Sequence, residues 1–137
     1  MKMRTHCPIN FTTEHFGDKW SFLIIRDLMF KGKRHYNEFL ESEEKISTSV
    51  LGDRLKMLEE SGIISKREDN VKKSSIKYSL TKKGIELLPI LVEMIIWAGF
   101  YDNQTAVEID FLTQATQNKE ALISQIKEKM FAEHLTQ

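Results

Sequence analysis

Ser47-Thr48-Ser49-Val50-Leu51-Gly52-Asp53-Arg54-Leu55-Lys56-Met57-Leu58-Glu59-Glu60-Ser61-Gly62 reads as one helix with both ends marked and a single apolar stripe. Leu51, Leu55 and Leu58 recur at i, i+4 and i+7, which places them on one helix face. Ser47 suits the N-cap, with Ile46 before it able to pack onto the first turns, and Gly62 suits the left-handed residue that stops the helix. At 100° per residue, the face opposite the stripe carries Ser49, Asp53, Lys56 and Glu60, with Thr48 and Gly52 on one flank. One side is built for a core. The other offers small polar groups in its first turn.

Downstream, Ile63 to Arg67 and Ser75 to Leu80 read as strands, the second alternating Ile76, Tyr78 and Leu80 with Ser75, Lys77 and Ser79. The polar run between them, Glu68 to Ser74, predicts a hairpin tip. Upstream, Pro8 opens a helix to about His15, Asp18 to Phe30 forms a longer helix ended by Gly32, and Tyr36 to Glu41 forms a short amphipathic one. Thr81 can cap a long helix from Lys82 to about Tyr101, apolar almost all round, and two further helices fall within residues 103–118 and 119–133. Three helices, a strand, a polar hairpin and a strand, flanked by more helices, is the plan of a winged helix-turn-helix. The expected fold class is α+β, mostly α, with a two-stranded wing and extra N- and C-terminal dimerisation helices. Residues 1–102 are expected to form the DNA-binding and dimerisation domain. Residues 103–137 are expected to form a helical extension.

The 137 residues hold twenty Lys and Arg against twenty Asp and Glu, so net charge names no partner. Its distribution is uneven: residues 31–83 carry thirteen bases and nine acids, whereas residues 84–137 carry three bases and eight acids. A single cysteine, Cys7, excludes an intramolecular disulfide framework and predicts a reducing, cytoplasmic setting. No apolar run follows Lys2 and Arg4, so no signal peptide is expected, and Leu87 to Tyr101 is too short to span a bilayer.

A helix entering a major groove about 12 Å wide needs small polar residues in its first turn. Ser47, Thr48 and Ser49 fit that need, Lys56 lies on the same outward face, and Arg54 beside the stripe can reach a phosphate. Arg34, and Lys72 and Lys73 at the wing tip, can meet the flanking backbone. The same features also suit a capped helix and a solvated hairpin, and winged helices serve as protein-interaction modules too. A basic wing joined to a small-polar helix separates the two readings, since an adaptor needs neither. In a third reading Trp20, Phe22, Trp97 and Phe100 line a small-ligand pocket.

Cys7-Pro8, Phe16 to Leu28, Arg34-His35-Tyr36-Asn37-Glu38-Phe39, Ile46-Ser47, Leu51 to Gly62, Tyr78 to Thr81, Gly84 and Trp97 together resemble the HxlR-type bacterial transcriptional regulators over about Cys7 to Tyr101. The resemblance implies a dimeric winged-helix protein that binds double-stranded DNA and represses or activates nearby genes. It implies recognition-helix roles for Ser47, Thr48, Ser49 and Arg54, and wing roles for Lys72 and Lys73. Relatives often carry prolines before the second wing strand where this chain has Val71-Lys72-Lys73-Ser74-Ser75, and Asp53 is an unusual choice.

Regulators of this type include sensors of quinones, aldehydes and oxidants that use a cysteine near the N-terminus, here Cys7. A thiol just before Pro8 sits where the helix dipole favours thiolate, although a free cysteine can equally be a small apolar residue packed at the dimer interface. An oxidant or small-molecule inducer is the expected effector. The residues give no catalytic pattern: His6, His15, His35, His134 and Cys7 lack metal-ligand spacing, no glycine loop cradles phosphate, and no cofactor is expected. The apolar helix is expected to form the homodimer interface through Leu88, Leu91, Val92, Ile95 and Ile96, joined by the N-terminal helix.

Overall fold

The computed structural model describes residues 3–72 and 75–135. Its elements run α1 (Pro8–Phe16), α2 (Lys19–Phe30), α3 (Tyr36–Leu40), α4 (Thr48–Glu60), β1 (Ile64–Glu68), β2 (Ile76–Leu80), α5 (Lys82–Ile85), α6 (Leu88–Tyr101), α7 (Ile109–Gln117) and α8 (Lys119–His134). The chain forms two compact units that meet at Gly84 and Ile85.

In the first unit α4 is the central element, in contact with α1, α2, α3 and β1. Leu51, Leu55 and Leu58 are buried, as the stripe requires, against a core that also holds Ile24, Ile25, Leu28, Phe39, Ile63, Ile64 and Leu80. Ser47 caps the helix through its hydroxyl, which accepts the Val50 amide at 3.2 Å, and Gly62 adopts φ +75° just after it. β1 and β2 pair antiparallel with Ile64 opposite Leu80 and Glu68 opposite Ile76. The Arg34 carbonyl accepts the Tyr78 amide at 2.7 Å, so the segment before α3 lies along the outer edge of β2. The expected α+β winged helix-turn-helix is what the chain forms.

The sequence reading of one helix from Lys82 to Tyr101 needs correction. The stretch breaks into α5 and α6 around a turn at Glu86 and Leu87. Pro89 follows that turn; it has no N–H to give the Ile85 carbonyl, and its ring would clash there in a continuous helix. The apolar run Leu87 to Tyr101 alone is too short for a bilayer. Taken from Lys82 it is 20 residues long with mean hydropathy 1.6, long and apolar enough by composition to cross a membrane. A turn interrupts the stretch, and Ile85, Leu88, Leu91 and Val92 along it are buried within the chain.

In the second unit α7 and α8 pack on α6 and on each other. A β-carbon on Gly99 would lie 2.9 Å from Leu112 Cδ2, so the missing side chain is what lets α7 approach α6 closely. Because the tail shares its packing with α6, the compact boundary falls at Gly84 rather than at residue 102. The same packing corrects the expected interface. Leu88, Leu91 and Val92 are buried within the single chain, and Ile95 and Ile96 are half-buried. What α6 exposes is Ile90, Met94, Trp97, Phe100 and Tyr101.

Candidate nucleic-acid interface

Exposure along α4 follows from its stripe. With Leu51, Leu55 and Leu58 inward, Thr48, Ser49, Gly52, Asp53, Lys56 and Glu60 are all exposed. The Tyr36 hydroxyl donates to the Thr48 carbonyl at 3.1 Å and ties the start of α4 to α3. Ser47 is exposed, but its hydroxyl is already used as the cap, with Ser49 Oγ at 3.5 Å. Thr48 and Ser49 are exposed beside it in the first turn. The Lys56 ammonium stands 4.0 Å from Glu60 with 77% of its side chain exposed, a loose pair that a phosphate can displace.

Arg54, expected to reach a phosphate, is engaged within the chain. Its Nε donates to Asp18 at 2.8 Å, and its Nη1 pairs with Asp53. Asp18 is the N-cap of α2 and also accepts from the Ser21 amide and hydroxyl. Partial burial pushes the Asp18 carboxyl upward, but the bonds from Ser21 and Arg54 outweigh it and hold it below the usual carboxylate range. Arg54 thus ties α4 to the start of α2 through Nε and pairs with Asp53 through Nη1. Arg34 is a second correction: its Nε donates to the Tyr78 carbonyl at 2.6 Å and its Nη2 to Ser79 Oγ at 2.5 Å, which binds it to β2. Both arginines link elements of the first unit.

At the hairpin, the Asp69 amide donates to the Ser75 carbonyl at 3.0 Å, and the Ser75 amide to the Lys72 carbonyl at 2.8 Å. Lys72 is exposed at the tip, as expected, and Lys73 lies outside the described residues. Asp69 is 7% exposed. Its carboxylate accepts the Val71 amide at 2.8 Å and meets His35 Nε2 at 2.7 Å. The Val71 amide and His35, in that order, hold its carboxyl at about 2. The other ring nitrogen of His35 lies 2.7 Å from Glu38 Oε1 on α3.

Cys7 is the exposed N-cap residue of α1. Backbone amides of Asn10 and Ile9 face its sulfur and lower the thiol from its ordinary value. Because α1 packs against α4, a group attached at Cys7 joins an element that touches the exposed helix directly.

The sequence profile of the HxlR-like helix-turn-helix family matches residues 15–106, which takes in α4 and the hairpin but not Cys7. The chain belongs to the HxlR family. It is a DNA-binding transcriptional regulator of that type. Among its relatives, the HTH-type transcriptional regulator sll1512 of Synechocystis sp. is 35% identical over 107 residues, 78% of each chain. The crystal structure of PA1607, a putative transcription factor, superposes with a TM-score of 0.69 at 31% identity, covering 77% of this chain and 75% of that one. The redox regulator HypR in its oxidised form gives a TM-score of 0.61 at 32% identity, covering 69% of this chain and 96% of HypR.

Three residues that shape this HxlR-family surface went unread in the sequence as parts of it: Asp18, His35 and Asp69. Asp18 carried a signal, since an Asp before an apolar helix is an N-cap, but its partner Arg54 is 36 residues away. For His35 the local Glu38 was legible as a helix-start pair; Asp69, 34 residues on, was not.

Proposed function

We propose that the protein is a homodimeric repressor that binds a pseudo-palindromic operator and is controlled through Cys7. The observation that carries this is the exposed Thr48–Ser49 turn of α4 beside a lysine-tipped hairpin in the same compact unit. A recognition helix in the groove and a wing on the flanking backbone need those two pieces together. The exposed apolar residues of α6, Ile90, Met94, Trp97, Phe100 and Tyr101, supply a surface for the second subunit, with Ile95 and Ile96 at its edge. A twofold dimer then reads two similar half-sites one or more helical turns apart.

For Cys7, the lowered thiol and the likeness to a redox regulator point the same way. Thiolate attack on a peroxide forms the sulfenic acid and releases an alcohol or water. A second thiol, from a small molecule or the other subunit's Cys7, then displaces water to give a disulfide. Addition to a quinone instead forms a C–S bond at the ring.

Fluorescence anisotropy of the reduced protein tests the reading, using duplex from upstream of its own gene and a shuffled control at several salt concentrations. Preference for the first supports a sequence-specific regulator; no binding to either, even at low salt, turns the assignment to a protein-interaction module. Lys72→Ala should weaken binding to both duplexes and flatten the salt dependence by about one unit of log–log slope. Thr48→Ala should change the preference between them instead. Cys7→Ser should keep binding in the reduced state and lose any response to peroxide or quinone, and a persisting response would remove Cys7 from the mechanism.

A further inference from the structure

The strand register sets two cations against each other. Arg67 on β1 stands directly opposite Lys77 on β2. Like charges so placed destabilise a hairpin. Other cations of the first unit have carboxylate partners: Arg26 has Asp27 and Glu44, Arg54 has Asp18, and Lys66, next to Arg67, has Glu59 at 3.6 Å. Among the described residues, neither Arg67 nor Lys77 has one. The nearest acids in sequence are turned away or taken. Glu68 follows Arg67 in the strand and so faces the other side of the ribbon. Asp69 accepts the Val71 amide and meets His35. Arg67 also lacks a neutral acceptor: its Nε is buried and makes no hydrogen bond. A guanidinium that the fold leaves without any acceptor needs one from outside.

We propose that Arg67 and Lys77 form a phosphate clamp on the stem of the wing: one phosphodiester of the DNA backbone seats between the two cations, and the free hairpin carries their repulsion until it does. Residues directly opposite in an antiparallel pair have β-carbons about 4.5–5.5 Å apart, so both long side chains reach one anion. A phosphodiester offers two unesterified oxygens, one for the guanidinium and one for the ammonium. The surroundings favour a polyanion over a lone ion. Arg34 brings a third cation to the same face, with its Nη2 on Ser79 Oγ two residues along β2 from Lys77. Lys72 is exposed at the tip of the same hairpin. Cations spread from stem to tip match the evenly spaced charges of a duplex strand.

The clamp rests on the wing contact proposed above, and Lys77→Glu separates the two. In the free protein this change turns the repulsion into a cross-strand ion pair with Arg67, so the urea midpoint should rise with unchanged slope. On a labelled mixed-sequence duplex the same variant should bind about tenfold more weakly, the scale of one charge-assisted contact. Its log–log salt slope should flatten by about one unit per hairpin. Lys77→Gln should move both readouts the same way by less. Damage to the fold would lower stability and affinity together; the clamp moves them in opposite directions. A Lys77→Glu protein that is less stable, or that keeps the wild-type affinity and slope, overturns the clamp while wild-type binding upholds the wing. No binding by the wild type, even at low salt, overturns the wing contact and the clamp with it. The source of the anion is read from the Arg67 Nε–H resonance. It should shift with duplex and stay in place with inorganic phosphate at the same phosphate concentration. An equal shift with inorganic phosphate overturns the assignment to DNA.

Discussion

At the scale of single residues, the charged side chains of the first unit divide into those that face out and those that hold two elements together. Arg54 belongs to the second group, and Arg54→Ala is expected to lower stability by about 1 kcal/mol, read as a lower urea midpoint with unchanged slope. Asp18→Ala should cost more, about 1–2 kcal/mol, because the α2 cap is lost with the ion pair. A fall in DNA affinity with no fall in stability for Arg54→Ala would instead return Arg54 to the phosphate backbone. Asp69 predicts a pH effect of definite sign. Its carboxyl, held at about 2 by the Val71 amide and His35, lies below the ordinary 3.8. The stability it contributes is therefore complete above about pH 4 and lost as pH falls from there toward 2. Asp69→Asn should flatten that part of the acid limb in urea titrations at successive pH values, and an unchanged limb would contradict the assignment. The Arg54–Asp18 and Asp69–His35 pairs were not legible beforehand. Each joins residues more than thirty positions apart, and a side chain's partner across that distance is set by the fold, not by spacing.

At the scale of elements, what could be read was what repeats locally. The stripe of Leu51, Leu55 and Leu58, the alternation of Ile76, Tyr78 and Leu80, and the marks at Ser47 and Gly62 all placed elements within a residue or two of where they lie. The break between α5 and α6 was missed although Pro89 signalled it, because a nearly unbroken apolar run outweighed one proline. Exposure along α6 was unreadable for a different reason: a helix apolar all round has no periodicity to say which side the chain itself covers. A further element-scale contact is the approach of α5 to the start of β1. Thr81 donates to the Gly62 carbonyl at 2.5 Å and accepts the Gly84 amide at 3.1 Å. A β-carbon on Gly84 would stand 2.2 Å from the Ile63 carbonyl oxygen. Gly84→Ala must push α5 away from that backbone and should cost about 1–3 kcal/mol in thermal or urea unfolding. A neutral substitution would show that α5 is free to shift.

At the scale of the whole molecule, the exposed side of α6 is the feature a single chain leaves unresolved: Trp97 is 67% and Phe100 75% exposed. Paired aromatics of that size are what an interface buries. Trp97→Asp with Phe100→Asp is expected to give a monomer in sedimentation velocity, with the circular dichroism of the folded chain kept. Binding to a two-half-site duplex should fall far more than binding to one half-site. A double variant that stays dimeric would place the interface elsewhere.

The two compact units also carry opposite charge: residues up to Gly84 hold seventeen bases and twelve acids, and those beyond hold three and eight. Near a duplex, lowering the salt strengthens the pull on the first unit and the push on the second at the same time. Each phosphate contact to B-DNA normally contributes about −0.9 to the log–log slope of affinity against salt. Here the acidic half subtracts from that steepness. A count of contacts inferred from the slope would come out smaller than the number of lysines and arginines actually touching the backbone. Neutralising acids in the second unit should steepen the slope without altering which sequence is preferred.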